Sequence, residues 1–438
     1  MLLAHGVGGR QDLPIPLAAA LTGAVLALLL SFVALGLLWK EPRLGGVPET
    51  ARTLPRRLGG LVSGPGWAWT WRITGLVMAA YFCVGLLFGP DDPANPTAGT
   101  FYVLFWVGLV PLSLLFGPVW RTLNPLRTVH LLGSRAFRRD EEKGLRPLPP
   151  WLGHWPAAVG LFGFVWLELV APERATLPVI RTWLAVYCLA MLAGAVVFGS
   201  QWFDRGDAFE AYSGLIGRLS PVGLRRDGVL CWRNPLDGMA ELRPAPGLTV
   251  LVVVLLGSTM YDSLSGSADW VVFVQESSWP APVWGTIGLL TVIGLVLAAF
   301  TAATGLADTW GAVMKGSAVV EFAPAVVPIA AGYLIAHYFT LLLFEGQRTI
   351  VRLGDPLVTG TNPLGGTDRP LNGLGTTPAS IAMLQVTVIV LGHVLGTVLA
   401  HDRALALFPR RGAVLGQTPL LGLMTAYTSA GLFLLFAA

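Results

Sequence analysis

The feature that most constrains the fold of this chain is a series of continuous apolar blocks. Each block is about 20 residues long, the length that a helix needs to cross the roughly 30 Å of hydrocarbon in a bilayer. Only helices and closed barrels satisfy their backbone hydrogen bonds in lipid, so apolar blocks of this length predict helices. Ten spans are predicted, at residues 16–39, 71–89, 99–120, 151–170, 176–199, 247–263, 283–303, 319–350, 380–400 and 420–437.

The composition argues against a soluble protein. Hydrophobic residues make up 54% of the chain and charged residues only 12%, whereas about a quarter of the residues in soluble domains are charged. No separate soluble domain interrupts the spans. We therefore expect an all-α integral membrane protein in which residues 1–438 form a single polytopic membrane domain, a bundle of about ten transmembrane helices.

The basic residues predict the orientation of these spans. Of the 29 Lys and Arg residues, 23 lie in the loops after the odd-numbered spans or at the start of the second span. By the positive-inside rule those loops are cytoplasmic, and both termini are extracytoplasmic. The net charge of +4 therefore reflects topology and does not indicate a nucleic-acid partner. We expect a multi-pass protein of the plasma membrane surrounded by membrane lipids, and no sequence feature predicts an oligomeric state.

Two loops are longer than the others. Residues 345–378 form an extracytoplasmic loop rich in Gly and Pro, which predicts an ordered lid or a flexible cap. Residues 200–246 form a cytoplasmic loop in which DAFEAYSGLIGRLSPVG has apolar residues at helical spacing. That spacing predicts a helix lying along the membrane surface.

The amino terminus lacks the charged and apolar regions of a signal peptide, although the topology places it outside. Span 1 can act as its own signal, or the natural start lies upstream. If a peptidase cleaved after Ala4, His5 would become the terminal residue and could bind a metal through its amine and its ring.

Three histidines lie within or at the end of the eighth and ninth spans: His337, His393 and His401. An ionisable side chain at that depth is costly, so each is a candidate functional residue, against the alternative of a neutral histidine bonded to a neighbouring helix. His393 and His401 lie eight residues apart, about 12 Å along a helix, so they cannot bind one small metal ion.

His337 and His393 are the better pair for a shared site. Each has a threonine one turn away, Thr340 or Thr397, that could orient a ring nitrogen. The two imidazoles could bind a divalent metal ion or a haem, with Tyr427 on span 10 beside them. If they do not meet, His337 is expected to pair with an outer-face group such as Asp262, and His393 to serve packing.

Two carboxylates stand near the ends of otherwise apolar spans: Glu168 in WLELVAPE and Asp262 in STMYDSLS. An ionised carboxylate is costly there unless something pairs with it. Both are candidate catalytic residues, as acid, base or metal ligand, although solvated helix ends are the simpler interpretation. On the predicted inner side, the arginines of WRTLNPLRT at residues 120–128 are expected to anchor the chain at phosphate headgroups.

Several of these segments together resemble a family of actinobacterial polytopic membrane proteins commonly labelled fenitrothion hydrolase. The resemblance covers nearly the whole chain and rests on HGVGGRQDLP (5–14), LNPLRT (123–128), WLELVAPE (166–173), AYSGLIGRLSP (211–221), STMYDSLS (258–265), AHYFTLLLFEGQ (336–347), GDP (354–356) and LGHVLGTVLAH (391–401). It implies hydrolysis of an organophosphate triester.

Three functions follow as hypotheses. The first is a membrane-embedded hydrolase in which a metal ion activates water against an apolar phosphotriester. The second is a haem or copper protein of membrane redox chemistry with His337 and His393 as ligands. The third is a transporter, since many Gly and Pro residues permit broken helices.

Overall fold

The structure is a computed structural model that describes residues 13–46, 51–53, 64–225, 229–311, 318–361, 371–409 and 412–437. Its helices in the first half of the chain are α1 (Leu17–Leu38), α2 (Pro65–Phe88), α3 (Thr97–Phe116), α4 (Trp120–Leu123), α5 (Pro125–Ala136), α6 (Trp155–Leu169), α7 (Leu177–Phe198), α8 (Gln201–Gly206) and α9 (Ala208–Gly217). Within α3, Thr100–Val107 is π-helical, and Pro150–Leu152 forms a 3₁₀ turn before α6.

The second half begins with a small hairpin of β1 (Val222–Leu224) and β2 (Leu230–Trp232), paired antiparallel. The helices that follow are α10 (Pro235–Ala240), α11 (Leu248–Ser265), α12 (Ala268–Glu276), α13 (Ala281–Gly311), α14 (Ala318–Phe322), α15 (Val327–Arg352), α16 (Pro378–Leu407) and α17 (Ala413–Ala437). A 3₁₀ turn, Ala323–Val326, joins α14 to α15.

The prediction of an all-α membrane protein is confirmed at the level of fold class. Nine helical segments of the described chain are long and apolar enough to cross a membrane: α1, α2, α3, α7, α11, α13, α14 with α15, α16 and α17. The predicted span 151–170 contains the shorter helix α6, whose 15 residues extend about 22 Å.

The chain divides into two compact units. The described residues of unit 1 lie within Met1–Gly46, Pro235–Thr340 and Leu374–Ala438, and those of unit 2 within Val47–Asn234 and Leu341–Gly373. Each unit contains candidate membrane spans, so neither is a soluble domain.

Unit 1 is built around α11, which is buried along most of its length. Helix α13 packs on α11 and α17, and α16 packs on α1 and α17. Glycines let α15 and α16 approach closely, because a Cβ at Gly332 would lie 2.5 Å from the Val388 carbonyl oxygen. Such small-residue contacts hold helices together in lipid, where apolar surface alone gives no preference for a neighbouring helix.

Unit 2 packs α9 against α3 and α6. Residues Ala208–Gly217 of α9 are buried except Gly214, so this helix packs within unit 2, and its position relative to the membrane surface stays a prediction. An aromatic core explains the burial, since the rings of Trp106 on α3 and Tyr212 on α9 stack with centroids 4.4 Å apart.

The loop predicted at residues 345–378 begins with helix, because α15 runs on to Arg352. Residues 362–370 of that loop lie outside the described residues. After the loop, α16 starts at a capping box in which Thr377 and Ser380 each accept a hydrogen bond from the backbone of the other, with Pro378 at the first helical position as helix starts favour.

Candidate functional site

Two helices of unit 1 bring together a histidine, a carboxylate and a hydroxyl. His337 on α15 lies with its Nε2 2.8 Å from Oδ2 of Asp262 and its Nδ1 3.2 Å from Oγ of Ser263. Asp262 and Ser263 are neighbours on α11 and contact opposite edges of the same imidazole ring. The expectation that His337 pairs with Asp262 if it does not share a site with His393 matches this contact.

Two tyrosines extend the arrangement, which we call the triad cluster: Asp262, Ser263, Tyr333, His337 and Tyr338. The Tyr338 hydroxyl donates to Asp262 Oδ2 over 2.9 Å, and the Tyr333 hydroxyl lies 2.9 Å from Ser263 Oγ. Tyr333 comes one turn before His337 on α15, with its ring parallel to the imidazole. The carboxylate and the serine hydroxyl therefore each have a phenol beside them.

Close packing by α17 holds Tyr333 in place. A Cβ at Gly431 would lie 2.8 Å from a ring carbon of Tyr333, so only glycine leaves the ring its present position. Ser263 and His337 are each 1% exposed, and Asp262 is 5% exposed. The triad cluster lies in a water-poor interior, where hydrogen bonds and charges act more strongly than at the surface.

The hydrogen-bond partners determine which ring nitrogen of His337 carries the hydrogen. An ionised carboxylate only accepts, so with Asp262 ionised the Nε2 of His337 carries the hydrogen. In the neutral imidazole Nδ1 then has a lone pair that can accept the Ser263 hydroxyl hydrogen, while the Tyr333 hydroxyl donates to Ser263 Oγ. This is the order of groups in a Ser-His-Asp nucleophile system, with the two ring nitrogens exchanged relative to the chymotrypsin arrangement.

His393 on α16 has different surroundings. Its Nδ1 lies 2.8 Å from the Ile389 carbonyl oxygen, and its Nε2 has no hydrogen-bond partner among the described residues. Because a carbonyl can only accept, Nδ1 carries the hydrogen, and the lone pair of Nε2 meets no donor in the described part of the chain. Thr397 does not orient the ring as predicted, since its hydroxyl donates to the His393 backbone carbonyl.

Tyr427 on α17 also has a buried hydroxyl with no partner among the described residues. The His337 ring nitrogens, in contrast, both lie against Asp262 and Ser263. The site shared by His337 and His393 therefore stays a prediction, and the free lone pair of His393 is the feature that best suits a ligand role.

His401 has both ring nitrogens engaged within unit 1. Nε2 lies 3.0 Å from the Trp39 carbonyl oxygen, and Nδ1 contacts the Gln417 side chain. This places the residue proposed as a metal ligand at a joint between α1, α16 and α17. His5, the other single-histidine candidate, lies outside the described residues.

Among the described residues, no group of three or more His, Cys, Asp and Glu side chains is arranged to hold a metal ion. Glu168, the second predicted catalytic carboxylate, belongs to unit 2 and is 5% exposed at the end of α6. Burial and the charge of Glu168 raise the pKa of Tyr212, so the carboxylate lies in the aromatic core of that unit.

Sequence reasoning missed a second, largely buried polar cluster, here called the capping network, in unit 2: Asn124, Arg127, Tyr187, Asp204, Asp207 and Glu210. Arg127 donates to both carboxylate oxygens of Glu210, at 2.6 and 3.1 Å, and to Asp204. The prediction that the arginines of residues 120–128 anchor at headgroups is therefore wrong for Arg127. Burial lowers the pKa of this guanidinium, but Glu210, Asp204 and Asp207 together outweigh burial, and the pKa is raised.

The capping network also starts two helices. Asp207 accepts from the backbone N–H groups of Phe209 and Glu210 at the start of α9, and Asn124 caps α5 in the same way. Asn before Pro at 124–125 and Asp207 before a helical stretch are sequence signals for helix starts. Those signals could have located the two capping residues. They could not have shown that the Asn124 side chain donates to Asp207.

Comparisons of the chain with protein-family models, with curated proteins and with solved structures find no match.

Proposed function

We propose that this chain is a membrane-embedded hydrolase that cleaves an organophosphate triester, with Ser263 as the nucleophile. The observation that carries the proposal is the contact of His337 with Ser263 through one ring nitrogen and with Asp262 through the other. The resemblance to the family labelled fenitrothion hydrolase supports the choice of substrate class. It supplies no residue role, and Ser263 comes from the geometry alone.

The first half of the reaction forms a phosphoserine. His337 Nδ1 removes the Ser263 hydroxyl proton as Oγ bonds to phosphorus, and the bond from phosphorus to the aryl oxygen breaks. The proton on the imidazolium passes to the departing aryl oxide, which leaves as a phenol. Asp262 acts as a positioning residue, because it fixes the tautomer and orientation of His337 and stabilises the imidazolium that forms between the two steps.

The second half restores the serine. His337 Nδ1 takes a proton from a water molecule as its oxygen bonds to phosphorus, and the bond from phosphorus to Ser263 Oγ breaks. Oγ recovers its proton from the imidazolium, and a phosphate diester leaves. The Tyr333 hydroxyl, 2.9 Å from Oγ, is the nearest donor to the oxygen charge that develops at this position.

The location in a helix bundle suits this substrate. Apolar aryl triesters partition into membranes, and the triad cluster lies between apolar helices in unit 1. A dry site strengthens the hydrogen bonds that stabilise developing charge. The product diester carries a charge and leaves the hydrocarbon for water.

Hydrolysis of a chromogenic aryl phosphotriester by the full chain in proteoliposomes tests the proposal. Turnover in the wild type that Ser263→Ala abolishes would support it. Ser258→Ala is the matched control, because Ser258 is also buried on α11 but donates only to the Leu255 carbonyl. Equal turnover in wild type and Ser263→Ala would overturn it.

A second candidate function is a metal or haem protein, either a redox protein or a hydrolase that activates water at a metal. The free Nε2 lone pair of His393, with Nδ1 bonded to a carbonyl, has the form of a ligating histidine. Tyr427 supplies a second buried oxygen on α17. Haem would supply one-electron chemistry there, and a metal ion would supply an activated water.

Absorption spectroscopy and metal analysis of the purified protein test this second candidate. A haem band or stoichiometric metal that His393→Ala removes would support it. His130→Ala is the control, since His130 lies in unit 2 and its Nε2 contacts the Glu141 carbonyl. A spectrum and metal content unchanged by His393→Ala would contradict it.

For topology we keep ten spans in the plasma membrane with both termini extracytoplasmic, because most basic residues lie on one side. In a background without native cysteines, Pro93→Cys is expected to react with an impermeant maleimide from outside intact cells, and Lys143→Cys only after lysis. The reverse pattern would overturn this orientation.

A further inference from the structure

Unit 1 has an apolar groove of about 390 Å³ between α1 and α16. Ala34 and Leu35 form one wall, and Val394 and Val398 form the other. The volume is within the roughly 300–1,000 Å³ of sites that bind small molecules. The triad cluster contributes no residue to the walls of this groove, which lies on a different part of the unit.

A positively charged side chain, that of Arg43, lies at one end of the groove. Trp39 and Arg43 line that end, and the Arg43 guanidinium lies 4.8 Å from the centre of the Trp39 ring. Lys40 is adjacent in sequence, and both side chains point back to the last carbonyls of α1, at Gly36 and Leu38. No carboxylate among the residues that the structure describes forms a salt bridge with Lys40 or Arg43.

Hydrogen bonds from α16 fix the backbone of residues 39–43 at this end of the groove. Asp402 Oδ1 accepts from the backbone N–H of Arg43 over 2.6 Å and from Trp39 Nε1 over 3.2 Å. His401 binds the Trp39 carbonyl. His401 and Asp402 are both buried on α16, and their hydrogen bonds fix the position of the segment from Trp39 to Arg43.

We propose that this groove binds an acyl chain of an anionic phospholipid, with the lipid phosphate against Arg43. A free anion would make no contact with the apolar walls. A zwitterionic or neutral lipid has no net headgroup charge, so it would leave the net positive charge of Arg43 and Lys40 uncompensated. A basic side chain beside an interfacial tryptophan at the end of a span is the usual setting for phosphate headgroups. The proposal is independent of the hydrolase reaction.

The experiment uses phosphatidylglycerol with a photoreactive diazirine in its acyl chain, and phosphatidylcholine with the same chain as the comparison. The full chain is reconstituted with either probe, irradiated, and mapped by peptide mass spectrometry. Phosphatidylglycerol is expected to label the α1 and α16 peptides of the groove at least five-fold more than phosphatidylcholine does. Arg43→Gln should remove this preference, because the Asp402 contact uses only the backbone of residue 43.

Two further variants separate the groove from general lipid contact. Ala34→Trp fills the groove without changing its charge and should abolish labelling by both probes at these peptides. Arg72→Gln is the matched control, since Arg72 also stacks on a tryptophan, with its guanidinium 5.3 Å from the Trp69 ring. It should leave the groove labelling unchanged. Equal labelling by the two lipids, or a preference that survives Arg43→Gln, would overturn the proposal.

Discussion

The triad cluster of unit 1 and the capping network of unit 2 are both buried polar groups in an apolar protein, but they are paired differently. Asp207 accepts from two backbone N–H groups, from Asn124 and from Tyr187. Glu210 binds Arg127, whose guanidinium is always protonated. The partners of Asp207 and Glu210 therefore do not exchange a proton at neutral pH, although burial raises the pKa of Glu210 itself to about 7.

Asp262, in contrast, has a partner that can exchange a proton at neutral pH. Its carboxylate contacts His337, the residue type whose charge changes near neutral pH, and His337 in turn contacts a serine hydroxyl. Asp262 and Asp207 each also accept a hydrogen bond from a tyrosine hydroxyl over 2.9 Å, so the presence of a phenol does not distinguish the two clusters. The difference teaches that a permanent cation and backbone caps are typical of a stabilising cluster, whereas a histidine between a carboxylate and a hydroxyl is the arrangement on which the proposed reaction rests.

The largest expected effect comes from the two aspartates. Asp262→Asn should lower triester turnover by roughly 10³–10⁴-fold, because asparagine can donate to His337 and impose the wrong tautomer, as the same change does in chymotrypsin-type enzymes. Asp207→Asn should change turnover only in proportion to the fraction of protein that folds. The measurement is the initial rate per mole of folded protein, and similar losses in both variants would remove the distinction between the clusters.

The next effect belongs to the capping network. Arg127→Met leaves Glu210 buried without its cation and should reduce the free energy of unfolding by about 3–5 kcal/mol. Equilibrium unfolding in detergent measures it, with Arg135→Met as the control, since among the described residues Arg135 contacts the Trp69 ring and no carboxylate. A loss below about 1 kcal/mol, the usual limit for surface pairs, would show that the network is not a stability element.

The smallest expected effect compares the two tyrosines. Each phenol donates one hydrogen bond to an aspartate, and losing such a bond to a charged group costs about 1.5–3 kcal/mol. Tyr187→Phe should therefore lower the stability of the fold and leave turnover per folded molecule unchanged. Tyr338→Phe should lower both stability and turnover, and its rate should fall further at low pH than that of the wild type. Identical pH-rate profiles for wild type and Tyr338→Phe would end the role of Tyr338 in the reaction.

The sequence predicts the fold class well because span length and hydropathy depend only on local composition. It also draws attention to Asp262 and His337, which the structure brings into contact, since charged and ionisable residues in apolar blocks are conspicuous. The sequence does not reveal Ser263 or Tyr338. Serines and tyrosines are common near helix ends, and only the packing of α11 against α15 shows which of them reach the imidazole.

The sequence did not show the burial of α9 for a related reason. The apolar spacing of residues 208–217 fits an amphipathic helix, but spacing alone does not say whether the remaining face meets water or protein. In unit 2 that face meets the aromatic core and the capping network. The headgroup interpretation of Arg127 failed likewise, because its partners Asp204 and Glu210 lie about 80 residues further along the chain.

The most direct test of the account is covalent labelling of the full chain by a fluorophosphonate, which transfers its phosphonyl group to an activated serine with loss of fluoride. Mass spectrometry of the digested protein identifies the modified residue. We predict one adduct, on Ser263, that His337→Ala removes and Ser258→Ala retains. Absence of an adduct in protein that hydrolyses the triester, or an adduct on another residue, would contradict the assignment of Ser263 as the nucleophile.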